Sequence, residues 1–129
     1  MSGENYLYEW ATLRCVPRIE RDEFLNIGVI MMCKRRRWVR VETCIRPELL
    51  ALFAPDLTAE EIESHLQAFK SIAEGNPASG PIAAMEAEER FRWLTAVKST
   101  WLQTSRPHPG LTTDLDATFD HILTEQVKG

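Results

Sequence analysis

The sequence has few cysteines and lacks an apolar stretch long enough to cross a membrane. Only Cys15, Cys33 and Cys44 occur among 129 residues, and their spacing matches neither a disulfide framework nor a zinc site. All three lie in apolar, strand-like stretches, so we expect buried free thiols in a reducing compartment. The longest apolar run, residues 27–33, is far shorter than the ~20 residues that span a bilayer.

Targeting segments and common enzymatic motifs are also lacking. The first residues contain no basic segment followed by an apolar core, which predicts a cytoplasmic protein. There is no dinucleotide fingerprint, no phosphate-binding glycine loop, no G-x-S-x-G motif and no His/Cys cluster with ligand spacing. We therefore predict neither a metal nor a cofactor. The length predicts a single domain over residues 1–129.

The small net charge of −4 conceals two halves of opposite sign. Residues 1–46 hold nine Lys/Arg against six Asp/Glu, whereas residues 47–129 hold six against thirteen. An acidic total argues against a general nucleic-acid coat. The excess of positive charge in the first half is nevertheless compatible with an anionic ligand bound there.

Three strands are predicted in the first 46 residues, over 6–16, 24–33 and 38–45. The first would present one polar and aromatic face and one apolar face, with Tyr6, Tyr8, Trp10, Thr12 and Arg14 on the former and Leu7, Ala11, Leu13 and Cys15 on the latter. The second is nearly all apolar, which is typical of a strand covered on both faces. A short basic turn joins the second and third strands into an antiparallel hairpin.

Beyond residue 46 the apolar spacing becomes helical. Pro47 suits the first position of a helix over 47–54, and Thr58 with Glu61 forms a capping box before a helix over 59–74. The remaining elements are predicted as helices over 82–95 and 114–127, a strand over 99–104 and a rigid loop over 106–110. The pattern predicts an α+β fold, with a small antiparallel sheet of about four strands and helices packed mainly on one face.

Asn26 and Gly28 are unusual residues for an apolar strand. An unpaired buried amide costs ~1–3 kcal/mol, and a glycine within a strand often marks a close approach. Their spacing of two predicts one shared face. Either a ligand or partner approaches that face, or Asn26 holds a neighbouring loop while Gly28 makes room for Trp10.

Arg14, Arg21 and Glu23 flank the connection between the first two strands. An arginine fixed on a strand can hold a carboxylate or phosphate through two hydrogen bonds. The alternative is an internal pair between Arg14 and Glu23.

Later in the chain, Lys98 and Ser99 enter the last predicted strand and Gln103 follows them. A lysine beside hydroxyl groups can bind an anion. His108 stands between two prolines, which suits a positioned acid/base or a phosphate contact. Alternatively, His108 caps a backbone carbonyl.

The turn between the second and third strands is strongly basic. Arg35, Arg36 and Arg37 next to Trp38 suit contacts with phosphates and stacking on a base. The alternative is a solvated hairpin tip, whose charge discourages aggregation between strands.

Two motifs resemble those of a small bacterial family catalogued as domain of unknown function 3037. The first, R-x-x-P followed by R-x-E-x-x-N-x-G-V, is similar to residues 14–17 and 21–29. The second, F-x-x-L-T-A-x-R-S-T-x-x-Q followed by H-x-G-L-x-x-D, is similar to residues 91–103 and 108–114, with Lys98 where the family usually has arginine. The resemblance extends from about residue 6 to Val127.

The family has no assigned activity, and its members often lie beside genes for HipA-like kinases. The resemblance therefore implies a kinase-like protein partner. We expect the first two strands and the last strand to be neighbours, so that both motifs line one ligand- or partner-binding site. That site would contain Arg14, Arg21, Glu23, Asn26, Lys98, Ser99, Gln103 and His108.

Three functions remain open from the sequence. The first is a small cytoplasmic accessory or binding protein whose polar site holds a partner segment or an anionic ligand. The second is an enzyme acting on a phosphate-containing or nucleic-acid substrate, with Glu23 or His108 as the acid/base and Arg14 and Lys98 on the anion. The third is nucleic-acid binding through the basic turn. Exposed strand edges in so small a sheet also allow a homodimer.

Overall fold

One antiparallel sheet of five strands organises the chain. The computed structural model describes residues 4–17, 23–96 and 101–128. The strands are β1 (Tyr6–Cys15), β2 (Leu25–Cys33), β3 (Trp38–Thr43), β4 (Leu102–Thr104) and β5 (His108–Thr112). Their order is β3-β2-β1-β4, and β5 pairs with the first half of β1. β1 therefore lies at the centre and contacts three other strands.

Helices cover both faces of this sheet. They are α1 (Pro47–Phe53), α2 (Ala59–Ala73), α3 (Ala87–Ala96) and α4 (Leu115–Leu123), and α4 continues into a π-helix, Thr124–Lys128. α1, α2 and α3 pack on one face, and α4 with the π-helix packs on the other. The predicted α+β fold is thus confirmed, including the helices mainly on one face. Within the described ranges no helix is both long and apolar enough to cross a bilayer.

The alternation of side chains along β1 and β2 explains the two cores. Leu13 of β1 is fully buried on the side of α1–α3, whereas Trp10 packs on the side of α4. In β2, Ile30 faces the first cluster and Met31 the second, and both are 0% exposed. The prediction that the second strand is covered on both faces is therefore confirmed.

The first turns of α1 and α2 have the capping that the sequence predicts. Thr58 Oγ1 accepts the backbone N–H of Glu61 at 3.1 Å, and Glu61 Oε1 accepts that of Thr58 at 3.1 Å. This is the predicted capping box, and it satisfies two donors that the first turn of α2 would otherwise leave unpaired. Pro47 occupies the first turn of α1, as predicted.

Several predicted boundaries differ from the structure. The second half of the rigid loop predicted over 106–110 is strand β5, because Pro109 lies on an edge strand, where a missing N–H is tolerated. The helix predicted over 82–95 begins as a 3₁₀ turn at 82–84, and its α-helical part starts at Ala87. The strand predicted over 99–104 is described from Leu102 onward, and residues 99–100 lie outside the described ranges.

The cysteines are free, as expected. Cys15 and Cys33 are buried, and Cys44 is half-buried just after β3. Burial raises the pKa of the Cys15 thiol to about 11, so this thiol is protonated at neutral pH and unreactive as a nucleophile.

An ion pair between Glu9 of β1 and Arg92 of α3 makes the free energy of unfolding depend on pH. Arg92 donates from Nη1 to Glu9 Oε1 at 2.7 Å, and this guanidinium holds the pKa of Glu9 below its ordinary value. The stabilisation is therefore complete above the ordinary glutamate pKa and is lost as the pH falls through the lower, folded-state pKa. We expect Glu9→Gln to lower the free energy of unfolding at neutral pH by about 0.2–1 kcal/mol.

Urea unfolding at neutral pH and at about pH 2, well below the ordinary glutamate pKa of ~4.3, checks this expectation. The difference between wild type and Glu9→Gln should vanish in acid, where the carboxylate is protonated in both states of the wild-type protein. Glu63→Gln, an exposed position on α2, is the matched control and should show no such pH dependence. A constant difference at both pH values would contradict the assignment.

Candidate functional site

Arg14 lies in the middle of a row of three polar residues that crosses the sheet. It stands directly opposite Asn26 on β2 and opposite Gln103 on β4. Side chains that stand opposite each other on antiparallel strands project from the same face, with Cβ atoms ~4.5–5.5 Å apart. The residues of the two motifs therefore meet at Arg14, as expected if the first two strands and the last strand are neighbours.

The guanidinium of Arg14 is only half-buried, yet it lacks a charged partner. Its Cζ lies 3.8 Å from the centre of the Phe24 ring, and it forms no ion pair with Glu23 or any other carboxylate of the described residues. Its Nε is buried and has no hydrogen-bond partner among them. Burial lowers the pKa of Arg14, and no neighbouring charge offsets that effect. The contact with the Phe24 ring offsets part of the cost of withdrawing this charge from water, but no carboxylate of the described residues does so.

Two neighbours of Arg14 also carry unpartnered polar atoms. Asn26 donates from Nδ2 to the carbonyl of Gln126 at 3.2 Å, but its Oδ1 is buried and accepts no hydrogen bond from the described chain. Thr12, two residues before Arg14 on the same face, is 2% exposed, and its Oγ1 has no partner within the described ranges. Buried polar groups in native proteins are nearly always paired. These three atoms lie close together and have no protein partner among the described residues, which marks this part of the sheet as a candidate site.

Asn26 and Gly28 do not share a face, and that prediction is wrong. The register of β1 against β2 shifts between Leu13, which pairs with Gly28, and Arg14, which pairs with Asn26. The extra residue, Ile27, forms a β-bulge, and a bulge reverses the alternation that a spacing of two would give. A Cβ at Gly28 would lie 2.6 Å from the Glu42 carbonyl oxygen, so this glycine makes room for β3 rather than for an aromatic ring.

His108 belongs to a different part of the same face. It pairs with Trp10 across β1 and β5, and the two rings lie 4.6 Å apart between centroids. Trp10 and Arg14 are four residues apart on one strand, which corresponds to about 13 Å. His108 is therefore too far along the sheet to exchange a proton with an anion held at Arg14. A Cβ at position 110 would lie 2.4 Å from the Tyr8 hydroxyl, so Gly110 leaves the space that the Tyr8 ring occupies over β5.

Four other members of the predicted site remain. Arg21, Lys98 and Ser99 lie outside the described residues. Glu23 is exposed and lines a small cleft of about 240 Å³ together with Phe53.

Most side chains of the basic turn have partners within the fold. Arg35 pairs with Glu4, and Arg36 donates from Nη1 to the Tyr6 hydroxyl at 3.1 Å. Arg37 has a positive φ of 51° and forms no ion pair or side-chain hydrogen bond with the described chain. Trp38 packs against the cluster of α4 instead of projecting from the tip as a stacking platform. The turn thus offers less for nucleic-acid binding than its sequence indicates.

Sequence reasoning missed Thr12 and Phe24. Thr12 was placed on the same face as Arg14, but a threonine in a strand is so common that only its unpartnered hydroxyl marks it. Phe24 precedes the strand, and its position beneath Arg14 depends on how the chain enters β2.

Among the described residues no group of three or more His, Cys, Asp or Glu could hold a metal ion.

The row of Asn26, Arg14 and Gln103, with Thr12 beside it, is suited to binding rather than acid–base chemistry. The half-buried Arg14 guanidinium is a hydrogen-bond donor for an anion. Thr12 Oγ1 and Asn26 Oδ1 lie below the surface, so they form the polar surroundings of this guanidinium and not its ligand contacts. None of these four side chains is a general base or a nucleophile at neutral pH.

The comparisons with known proteins agree with the motifs. The model of a family described as proteins of unknown function (DUF3037) matches residues 10–127, nearly the whole chain. No curated protein and no solved structure matches the chain significantly. The match includes every member of the row around Arg14 and both predicted motifs. The chain therefore belongs to the DUF3037 family of proteins of unknown function.

Proposed function

We propose that this protein is a small binding protein that holds an acidic group of a protein partner against Arg14. The observation that supports this proposal is the unpaired state of the half-buried Arg14 guanidinium within the described ranges. A part-buried charge without a partner destabilises the folded state. Groups that are perturbed in this way are typical of functional sites, because a ligand supplies the interaction that the fold withholds.

The mixture of donors and acceptors around Arg14 favours a peptide segment over a free anion. Arginine recognises carboxylates and phosphates through two parallel hydrogen bonds. Asn26 Oδ1, however, is an unpartnered acceptor in the described structure and needs a donor. A peptide that carries an acidic side chain provides the anion for Arg14, and it also provides a backbone N–H for Asn26 if the buried amide turns outward on binding.

The family resemblance adds a narrower hypothesis about the partner. Because genes for HipA-like kinases often accompany this family, we extend the proposal to an accessory role beside such a kinase in the bacterial cytoplasm. An acidic segment of the kinase would lie across Arg14 on the α4 side of the sheet.

The variant Arg14→Met separates a binding role from a structural one. Methionine keeps the length of the side chain and removes the charge, so the free energy of unfolding should stay within about 1 kcal/mol of wild type. Binding of an anion should weaken about tenfold or more, because a charge-assisted hydrogen bond is lost. NMR titration with inorganic phosphate and with acetate measures the binding, and urea unfolding measures the stability.

Arg106→Met, an exposed arginine between β4 and β5, is the matched control and should bind both anions as wild type does. Equal anion responses in the two variants would contradict the proposal. A loss of more than about 3 kcal/mol of stability in Arg14→Met would instead assign Arg14 to the fold.

Sedimentation of the protein mixed with a purified HipA-like kinase tests the narrower hypothesis. We expect a complex with wild type and with Arg106→Met, but not with Arg14→Met. If anion binding depends on Arg14 and no complex forms with the kinase, the binding site stands and the partner is another protein.

A further inference from the structure

A second surface of the protein combines exposed leucines with unpaired charges of both signs. Leu7 of β1 and Leu111 of β5 stand directly opposite each other, and they are 63% and 65% exposed. Leu7 follows the alternation of Ala11 and Leu13, so this pair lies on the face of α1–α3, beyond the part that these helices cover. The surface is therefore distinct from the Arg14 site, which lies on the opposite face.

The two leucines belong to a groove of about 770 Å³ at one end of the sheet. Apolar surface inside a groove that is rimmed by charged residues is the arrangement of many interaction surfaces, and here the two leucines are its apolar part. The β2–β3 turn provides basic side chains at the groove, including Lys34 and Arg37. The start of α3 provides acidic ones, including Glu86 and Glu89.

Part of the charge in the groove has no partner among the described residues. Lys34 pairs with Glu88 at 3.2 Å, but Arg37, Glu86 and Glu89 form no ion pair with the described chain. An acidic or a basic partner would meet one of these groups favourably and the other unfavourably. A surface that carries both signs is complementary to itself, because a two-fold axis brings the basic residues of one copy to the acidic residues of the other.

The edge of the sheet next to the groove fits the same arrangement. Pro109 stands opposite Glu9 and has no N–H to donate to β1. The two residues therefore form a pair without hydrogen bonds between them, and the backbone of β5 at Pro109 points away from β1. Leu111, two residues further on, has the same orientation, so its backbone N–H and C=O are available at the edge. The approach of a second chain would cover the leucine side chains and this backbone edge together.

We propose that the groove at Leu7 and Leu111 is the interface of a symmetric homodimer. The leucines of the two copies pack across the axis, and Arg37 of each copy faces Glu89 of its partner. This inference does not rest on the proposed anion site. The dimer leaves Arg14 accessible on the other face of each sheet.

Sedimentation equilibrium over a wide range of protein concentration tests the dimer. We expect wild type to associate reversibly and Leu111→Arg to remain monomeric while keeping its folded circular dichroism spectrum. Leu52→Arg is the matched control, since Leu52 is 82% exposed on α1 and does not line the groove. A wild type that stays monomeric throughout, or a dimer that survives Leu111→Arg, would overturn the proposal.

A charge exchange tests the pairing across the axis. Arg37→Glu and Glu89→Arg should each be monomeric alone, because each variant places like charges opposite one another. An equimolar mixture of the two should restore association as a heterodimer, in which both contacts are again of opposite sign. If the mixture remains monomeric although wild type dimerises, the proposed arrangement of the two copies is wrong.

Discussion

Replacing Phe119 with alanine is expected to lower the free energy of unfolding by about 3–5 kcal/mol. Phe119 is 0% exposed at the centre of α4, where it packs on the face of the sheet that carries the Arg14 site. The Arg40 guanidinium lies 4.3 Å from the centre of its ring and also pairs with Asp116 at 2.9 Å. The substitution removes the apolar anchor of the helix and the ring beneath this arginine.

The loss should extend to the candidate site. α4 continues into the π-helix that carries Gln126, whose carbonyl accepts the hydrogen bond from Asn26. We therefore expect Phe119→Ala to weaken anion binding in addition to stability. Urea unfolding provides the first measurement and NMR titration with phosphate the second.

Leu52→Ala is the matched control, because this exposed leucine should contribute less than about 0.5 kcal/mol. Since domains of this size are stable by only about 5–15 kcal/mol, the expected loss in Phe119→Ala is a large fraction of the total. A loss below about 1 kcal/mol would mean that α4 does not anchor this face.

Replacing Gly28 with alanine is expected to cost about 1–3 kcal/mol. The new Cβ would lie 2.6 Å from the backbone carbonyl oxygen of Glu42 and 3.0 Å from Thr43 Cγ2. A backbone carbonyl held in a sheet cannot rotate away as a flexible side chain can, so β3 must shift. Gly28 has no positive φ, and its role is therefore the space it leaves rather than its conformational freedom.

Hydrogen exchange locates the damage from this substitution. Amide protection should fall in the ladder between β2 and β3 and stay unchanged between β1 and β5. Gly80→Ala is the control, because Gly80 has a φ of 97° but no atom within 4 Å of a new Cβ, so its cost is local backbone strain. Wild-type stability in Gly28→Ala would show that β3 can move without loss.

The candidate site was predictable in part. Arg14, Asn26 and Gln103 belong to the two motifs, and the antiparallel sheet brings them into one row. His108 belongs to the second motif as well, but β5 pairs with the first half of β1, which places His108 opposite Trp10, about 13 Å along the strand from Arg14. The order of residues in a motif does not predict which residues of the neighbouring strand they will stand opposite.

The bulge at Ile27 shows why sequence spacing alone did not predict which face of the sheet each side chain occupies. A spacing of two gives a shared face only in a regular strand, and the extra residue between the pairs of Leu13 and Arg14 interrupts that regularity. The bulge turns Asn26 toward the π-helix and leaves Gly28 against β3. Its position depends on the pairing of β1 with β2, which involves residues distant in the chain.

By itself the sequence determined the type of nearly every element, because side-chain periodicity and helix capping are local properties. The alternation along β1, the apolar run of β2 and the capping box at Thr58 all predicted what the structure contains. Only the tertiary structure decided which polar atoms stay without partners, because pairing depends on strands that meet from opposite ends of the chain. The unpaired state of Arg14 among the described residues, from which the proposed function follows, is therefore a property of the fold and not of any motif.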